Sequence, residues 1–272
     1  MKAIRLSAVF LLAFVTSFSV WAQQVHLGLT TAVNASFVLD KGLSQDPRYN
    51  SQYTYKVAPI GFSFGVDLGR TFGLSLESIL SRQGQIYDII DAAQQVKGQR
   101  EISLSYVHLP LLMRFMSGGN SPVRTNFNLG PQLSFLTEAV ESMQYDAGTF
   151  SIPDDPNFVL PEGAVDNGNG TYTAPAMPPS EILTKKANQF KDMEFQIAAA
   201  FGIDIDLSRH LYLSTQIRAN YSLTDMRTGD VIDALTNGEG QDLFTHRASM
   251  IVGLQVGLHY TFGVTRSFKY RR

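Results

Sequence analysis

Residues 192–207 read DMEFQIAAAFGIDIDL. Met193, Phe195, Ile197, Ala199, Phe201, Ile203, Ile205 and Leu207 take the odd positions, while Asp192, Glu194, Gln196, Gly202, Asp204 and Asp206 take even ones. Successive side chains on a strand point to opposite faces, so this stretch has one uncharged apolar face and one charged face. The run exceeds the roughly 5–6 residues of an ordinary soluble strand and is long enough to cross a bilayer at a tilt. A lipid-facing wall has to lack charge near the membrane centre, and the charged face then lines a lumen.

Seven further segments repeat the pattern. Leu27, Leu29, Val33 and Phe37 oppose His26, Gly28, Thr30, Asn34 and Ser36; Ile60, Phe62, Phe64 and Val66 oppose Gly61, Ser63, Gly65 and Asp67. Phe72, Leu74 and Leu76 oppose Ser75 and Glu77; Leu109, Leu111, Met113 and Phe115 oppose His108, Pro110 and Arg114. Phe127, Leu129, Leu133 and Phe135 oppose Arg124, Asn126, Asn128, Gln132 and Ser134. Leu213, Ile217 and Tyr221 oppose Ser214, Gln216 and Arg218, and Val252, Leu254, Val256 and Leu258 oppose Gly253, Gln255, Gly257 and His259. None of the apolar faces carries a charge. A soluble sandwich also alternates, but with shorter strands whose apolar face turns inward. The pattern predicts an all-β fold, an eight-stranded antiparallel up-and-down transmembrane β-barrel in the cell outer membrane.

The connections agree with this. Short links at 69–71, 117–123 and 208–210 alternate with long ones at 40–54, 88–100, 141–190 and 226–246, the asymmetry of periplasmic turns and extracellular loops. Lys2 and Arg5 precede an apolar core from Leu6 to Val20 and a small residue at Ala22, which reads as a signal peptide over 1–22. The barrel is expected over 23–262, with a long loop at 141–190. Arg266, Lys269, Arg271 and Arg272 give 263–272 the character of a basic periplasmic tail.

The 272-residue chain is 17% charged with a formal net charge of −2, so no strong field points to nucleic acid. The absence of cysteine excludes disulfides, thiolate metal sites and a cysteine nucleophile. Asp67, Glu77, Arg114, Arg124, Glu194, Asp204 and Arg218 are expected to form a charged network inside the barrel, joined by Asp206. Eight strands leave an interior that side chains fill, and charges there have to pair. A strand register in which paired positions sum to 191 sets Glu77 opposite Arg114. His26 and His259 fall inward on the first and last strands, where two imidazoles could meet, but no third metal ligand lies at useful spacing. No nucleophile elbow or phosphate-cradling glycine loop is present.

Residues 141–181 hold seven acidic residues (Glu141, Asp146, Asp154, Asp155, Glu162, Asp166 and Glu181) and no basic one. Asp166-Asn167-Gly168-Asn169-Gly170 before Thr171-Tyr172-Thr173 reads as a tight hairpin turn. The oxygen-rich loop lacks the ligand spacing of a calcium-binding loop and reads first as a solvated surface, then as a surface for a partner.

Five segments are similar to a known family: SLESILSRQGQIY at 75–87, YVHLPLLMRF at 106–115, LGPQLSFL at 129–136, FGIDIDLSRHLYLSTQIRANYSLTDM at 201–226 and VGLQVGLHYTFG at 252–263. They make the chain resemble the PorT-like outer-membrane β-barrel family, whose namesake is linked to export of proteins across the outer membrane. The expected function is therefore a non-enzymatic barrel that binds at the surface, or serves a structural or secretion-accessory role, through its extracellular loops. Its expected partners are outer-membrane lipid and a protein or glycan at the loops. No cofactor is expected. The alternatives are an outer-membrane enzyme acting on lipid or surface peptide, or a small ion-permeable channel.

Overall fold

The computed structural model describes residues 24–118, 121–154, 158–237 and 245–262. The signal-peptide expectation at 1–22 and the basic tail at 263–272 lie outside the described residues. Thirteen strands are present among them: β1 (Gln24–Asp40), β2 (Tyr49–Gln52), β3 (Thr54–Asp67), β4 (Phe72–Ile90), β5 (Val96–Met116), β6 (Val123–Tyr145), β7 (Gly148–Ser151), β8 (Val165–Asp166), β9 (Thr171–Ala174), β10 (Met177–Thr184), β11 (Met193–Asp206), β12 (Leu211–Ser222) and β13 (Arg247–Phe262). Eight of these close a ring in the order β1-β3-β4-β5-β6-β11-β12-β13, every neighbour antiparallel, with β13 returning to β1 from Val25↔Phe262 to Asp40↔Arg247. Closure gives wall backbone groups partners within the ladder, as hydrocarbon demands.

The two faces fall as the alternation requires. Leu29, Phe62, Leu111, Phe201, Ile217 and Leu254 stand on the outer face, with Phe201 60% and Ile217 62% exposed, whereas Glu194 and Asp204 are 0% exposed. Apolar side chains left this open are placed for lipid.

Above the lipid band the pattern inverts. The outward positions of β4 pass from Leu76 and Leu80 to Arg82, and those of β5 pass from Leu109 to Ser103 and Glu101. The inward positions change the opposite way, from Arg114 and His108 to Tyr106, Leu104 and Ile102, all buried. A wall in water needs an apolar inside, and a wall in lipid an apolar outside. The same strands therefore build a polar core in the membrane and an apolar one beyond it.

Two expectations about the links change as a result. The long link at 88–100 is a tight hairpin, because β4 runs to Ile90 and β5 starts at Val96, with Asp91 Oδ1 accepting from the Ala93 and Gln95 amides at 2.9 and 2.8 Å. The link at 141–190 is largely structured. β6 continues to Tyr145, β10 returns along it, and β7, β9 and β8 form a small separate sheet. The turn at 166–171 forms as expected, with Gly168 and Gly170 at φ 74° and 78° and β8 paired to β9. The remaining long links hold the helices Lys41–Gln45 and Gly229–Thr236.

Candidate functional site

The barrel interior is the most densely built polar region of the protein. Near the periplasmic end, Asp204 accepts from Arg114 Nη2 at 3.1 Å and Asn126 Nδ2 at 2.8 Å, and Arg124 lies 3.8 Å away. Arg114 also reaches Asp67 at 3.4 Å and the His26 imidazole, while Arg124 lies 3.5 Å from Asp206. Farther up, Arg218 Nη1 donates to Glu77 Oε2 at 2.5 Å and Nη2 to Gln132 Oε1 at 3.1 Å. Glu194 takes the Tyr106 hydroxyl, Ser249 Oγ at 3.0 Å and Gln196 Nε2 at 3.1 Å. All seven of the expected interior residues are buried.

Their pairing differs from the expected one. The β4–β5 register sums to 187, as in Gly73↔Arg114 and Leu76↔Leu111, not 191. Glu77 therefore does not face Arg114 across the hairpin. Glu77 finds Arg218 on the opposite wall, and Arg114 reaches Asp67 on β3 and Asp204 on β11, each two strands away, because in a filled eight-stranded barrel non-neighbouring walls are within side-chain reach.

The two lumenal histidines do meet, with ring centroids 5.7 Å apart. Tyr212 mediates between them: it stacks on His259 at 4.5 Å and its hydroxyl lies 3.0 Å from His26 Nδ1. Ser214 Oγ sits 2.8 Å from His259 Nε2, but both side chains are buried in the filled lumen. Among the described residues no group of three His, Cys, Asp or Glu side chains is placed to hold a metal, in the lumen or in the acidic loop.

Above this column lies an apolar layer of Val38, Leu43, Tyr87, Leu104, Tyr106 and Leu136 with their neighbours. Above that is a second buried charge cluster that the sequence reading missed. Arg247 donates to Asp40 at 2.6 Å and to Glu141 at 2.7 Å, and Arg100 lies 2.5 Å from Glu141. Glu141 is fully buried, contrary to its expected place on a solvated loop. The cause is a β-bulge in β6: pairing with β5 shifts between Ser105↔Glu138 and Tyr106↔Leu136, and Thr137 Oγ1 donates to Ser105 O at 2.9 Å. One extra residue turns every later odd position inward.

The outermost layer is a cap. Phe150, Tyr172, Ala174, Ile89 and Met143 form its core. Arg48 ties the first loop to it, with Asp46 at 2.6 Å, the Tyr172 hydroxyl at 3.2 Å and the Phe158 ring at 4.8 Å. Burial works against the Arg48 charge, but the hydrogen bonds and charge of Asp46 more than offset it and hold the guanidinium beyond its ordinary pKa.

The family described as outer membrane protein beta-barrel domain matches residues 21–227. Among solved structures the chain is similar to the outer membrane protein OprG from Pseudomonas aeruginosa, at 12% identity and TM-score 0.40 over 89% of this chain and 97% of that one. It is also similar to Neisserial surface protein A, at 11% identity and TM-score 0.37 over 88% and 97%. A third likeness is to Ail, the attachment invasion locus protein of Yersinia pestis, at 9% identity and TM-score 0.38 over 88% and 99%. No curated protein matches the chain. Likenesses this distant assign no role. The family match spans most of the length and agrees with the closed ring and its outward apolar face, so the chain belongs to the outer membrane protein beta-barrel domain family and resides in the cell outer membrane.

Proposed function

We propose that this protein is a non-enzymatic barrel of the PorT-like type that acts through its extracellular cap, as a surface-binding or secretion-accessory protein. The observation that carries this reading is the cap itself. β4, β5 and β6 run past the lipid band, β10 adds to their sheet, and a second apolar core fixes β7, β8 and β9 on top. Ordering a backbone costs roughly 1–2 kcal/mol per residue, which a loop serving only as a connection would not have to meet. The lumen below supports this reading in two ways. It is filled by paired side chains, which disfavours a channel. Its two serine–histidine contacts among the described residues, Ser214 with His259 and Ser134 with His108, are both buried, which disfavours a hydrolase.

The test replaces residues 147–176 by a short Gly-Ser linker that joins β6 to β10. The variant should still insert as a heat-modifiable barrel, and it should lose the protein or glycan that the intact protein retains on cross-linking in outer membranes. Retention of the same partner by the linker variant would place binding elsewhere and sink this reading.

A further inference from the structure

The tip of the cap carries two Asn-Gly pairs, Asn167-Gly168 and Asn169-Gly170, in the turn between β8 and β9. All residues from Val165 to Gly170 are exposed. In an Asn-Gly pair the glycine nitrogen can close a five-membered ring on the side-chain amide carbon, and no Cβ obstructs its approach.

The turn treats its two asparagines differently. Asn167 is tied down: Nδ2 donates to Thr171 Oγ1 at 3.0 Å and to Thr173 Oγ1 at 3.2 Å, and Thr173 Oγ1 donates to its Oδ1 at 3.3 Å. The nitrogen that would attack it is also engaged, because the Gly168 amide donates to Asp166 Oδ1 at 2.8 Å. At Asn169 the arrangement is the opposite. The Gly170 N–H and Asn169 Nδ2 meet no acceptor among the described residues. Asn169 Oδ1, by contrast, accepts from the Thr171 amide at 3.2 Å and from Thr171 Oγ1 at 2.6 Å.

Thr171 Oγ1 joins the two sites. It accepts from Asn167 and donates to Asn169, so the first hydrogen bond polarises the hydroxyl toward the second. Gly170 O accepts from the Ile152 amide at 2.9 Å, which fixes the peptide leading into Thr171. Two donors aimed at one carbonyl oxygen stabilise the negative charge that gathers there when a nucleophile adds to the carbon.

We propose that Asn169 is a self-modification site, where the cap deamidates its own turn. The Gly170 nitrogen loses its proton to water or hydroxide and attacks Asn169 Cγ. The N–Cγ bond forms, and the charge moves onto Oδ1 between the two Thr171 donors. The intermediate collapses by breaking the Cγ–Nδ2 bond, and Nδ2 takes up a proton and leaves as ammonia. Water then opens the cyclic imide at either carbonyl, giving aspartate or isoaspartate at this position. Asn167 and Thr171 act as positioning residues. The product adds a negative charge beside Asp166, and the isoaspartate form also inserts a carbon into the main chain of the turn. The cap of an aged molecule therefore differs in charge and shape from that of a newly inserted one. This chemistry needs no partner and stands apart from any binding role of the cap.

The full-length protein, folded in a neutral detergent, is aged at neutral and mildly alkaline pH beside the same protein in urea. Peptides spanning 159–176 are then mapped by mass spectrometry, with fragmentation that separates asparagine, aspartate and isoaspartate. In urea the two Asn-Gly pairs should react alike. In the folded protein, loss at Asn169 should run about tenfold ahead of loss at Asn167, since each of the two hydrogen bonds contributes several-fold. Thr171→Val should slow loss at Asn169 about fivefold, the worth of one neutral hydrogen bond, and Thr171→Ser, which keeps the hydroxyl, should not. Equal loss at the two positions in the folded protein, faster loss at Asn167, a preference equally large in urea, or a Thr171→Val rate equal to wild type would overturn the proposal. So would a saccharide-sized mass on Asn169 in protein taken from native membranes, which would show that Asn169-Gly170-Thr171 serves as a glycan acceptor instead. The wild-type ratios decide the matter even if a variant fails to fold.

Discussion

Glu77 Oε2 lies 2.5 Å from Arg218 Nη1, and the two residues stand on β4 and β12, four strands apart in a ring of eight. The pair is a strut across the lumen between walls that share no ladder. Removing one partner of a buried pair leaves the other charge stranded, at about 3–5 kcal/mol. Glu77→Gln and Arg218→Gln should each destabilise the barrel in urea titrations on that scale, and the double variant should lose clearly less than the sum. Glu77→Gln combined with Arg114→Gln should be nearly additive. Strong coupling of Glu77 to Arg114 instead would contradict the observed pairing.

The two faces of β11 differ in what they tolerate. Phe201→Arg puts a charge on the lipid face near the middle of the strand and should cost roughly 2–4 kcal/mol. The sequence alone makes Asp204→Asn look mild, because it lies inward. The structure reverses that expectation: Asp204 is met by Arg114, Arg124 and Asn126, so neutralising it takes from each of two buried guanidinium groups one of its two carboxylates and leaves only Asp67 and Asp206 to hold them. Unfolding midpoints should drop for both variants, and an unaffected Asp204→Asn would show that the Arg114 and Arg124 charges are held by Asp67 and Asp206 alone.

Topology is open to labelling on intact cells. Single cysteines at Ala93, in the β4–β5 turn, and at Asp166, in the cap, should react with an impermeant maleimide. Cysteines at Arg70 and Arg209, in short turns, should react only after the outer membrane is opened. Position 46, which falls in a long link, is a poor probe because Asp46 is buried against Arg48, and Asn120 lies outside the described residues. The reverse labelling pattern would invert the barrel.

Which parts of this structure were legible in the sequence follows from period. A strand repeats every two residues, so 192–207 or 250–262 shows its faces directly, and with them the burial of Glu194, Asp204 and His259. Register is different. Sums of 187 and 191 both keep Glu77 and Arg114 inward, and alternation cannot choose between them. The bulge at Thr137 was hidden for the same reason: a single inserted residue leaves composition unchanged but reverses parity, so Glu141 read as loop. One signal was available. On β5 the inward positions turn from Arg114 and His108 to Tyr106, Leu104 and Ile102, which marks where the wall leaves the membrane and acquires an apolar inside.

Gly84 tests how the lumen is closed. A Cβ there would lie 1.9 Å from Ile102 O, and the φ of 151° is one that side-chain-bearing residues rarely adopt. Gly84→Ala should therefore disrupt the inward fold of β4 and release Ser36, whose Oγ accepts from the Gly84 amide at 2.6 Å. Reduced heat-modifiable barrel and faster proteolysis near 84–90 are the expected readouts. Gly69→Ala, where a Cβ meets nothing within 4 Å, is the control and should behave as wild type. A Gly84→Ala barrel of normal stability would mean that β4 can close the mouth by another path.

The loop after β12 should respond to acid. Asp225 accepts from the Arg227 amide at 2.8 Å, from Arg227 Nε at 3.1 Å and from the Arg247 amide at 2.8 Å. Burial pushes its pKa up, but the Arg227 hydrogen bond and charge and the two backbone donors outweigh that and hold the carboxyl below its ordinary value of about 3.9. A carboxyl depressed in the folded state stabilises above its unfolded pKa, and that contribution is lost as pH falls through the folded pKa. Amide protection of 228–237, corrected for intrinsic exchange, should thus be flat from neutral pH to about 5 and fall below about 4. Arg227 also holds Thr245 O at 2.5 Å, so residues 245–247 should loosen together with the helix Gly229–Thr236. Asp225→Asn should show weak protection already at neutral pH, with a flatter acid response. If the Asn variant keeps full protection, or the wild-type loop stays closed in acid while the carboxyl is protonated, the Asp225–Arg227 pair is not what fastens this loop over the barrel mouth.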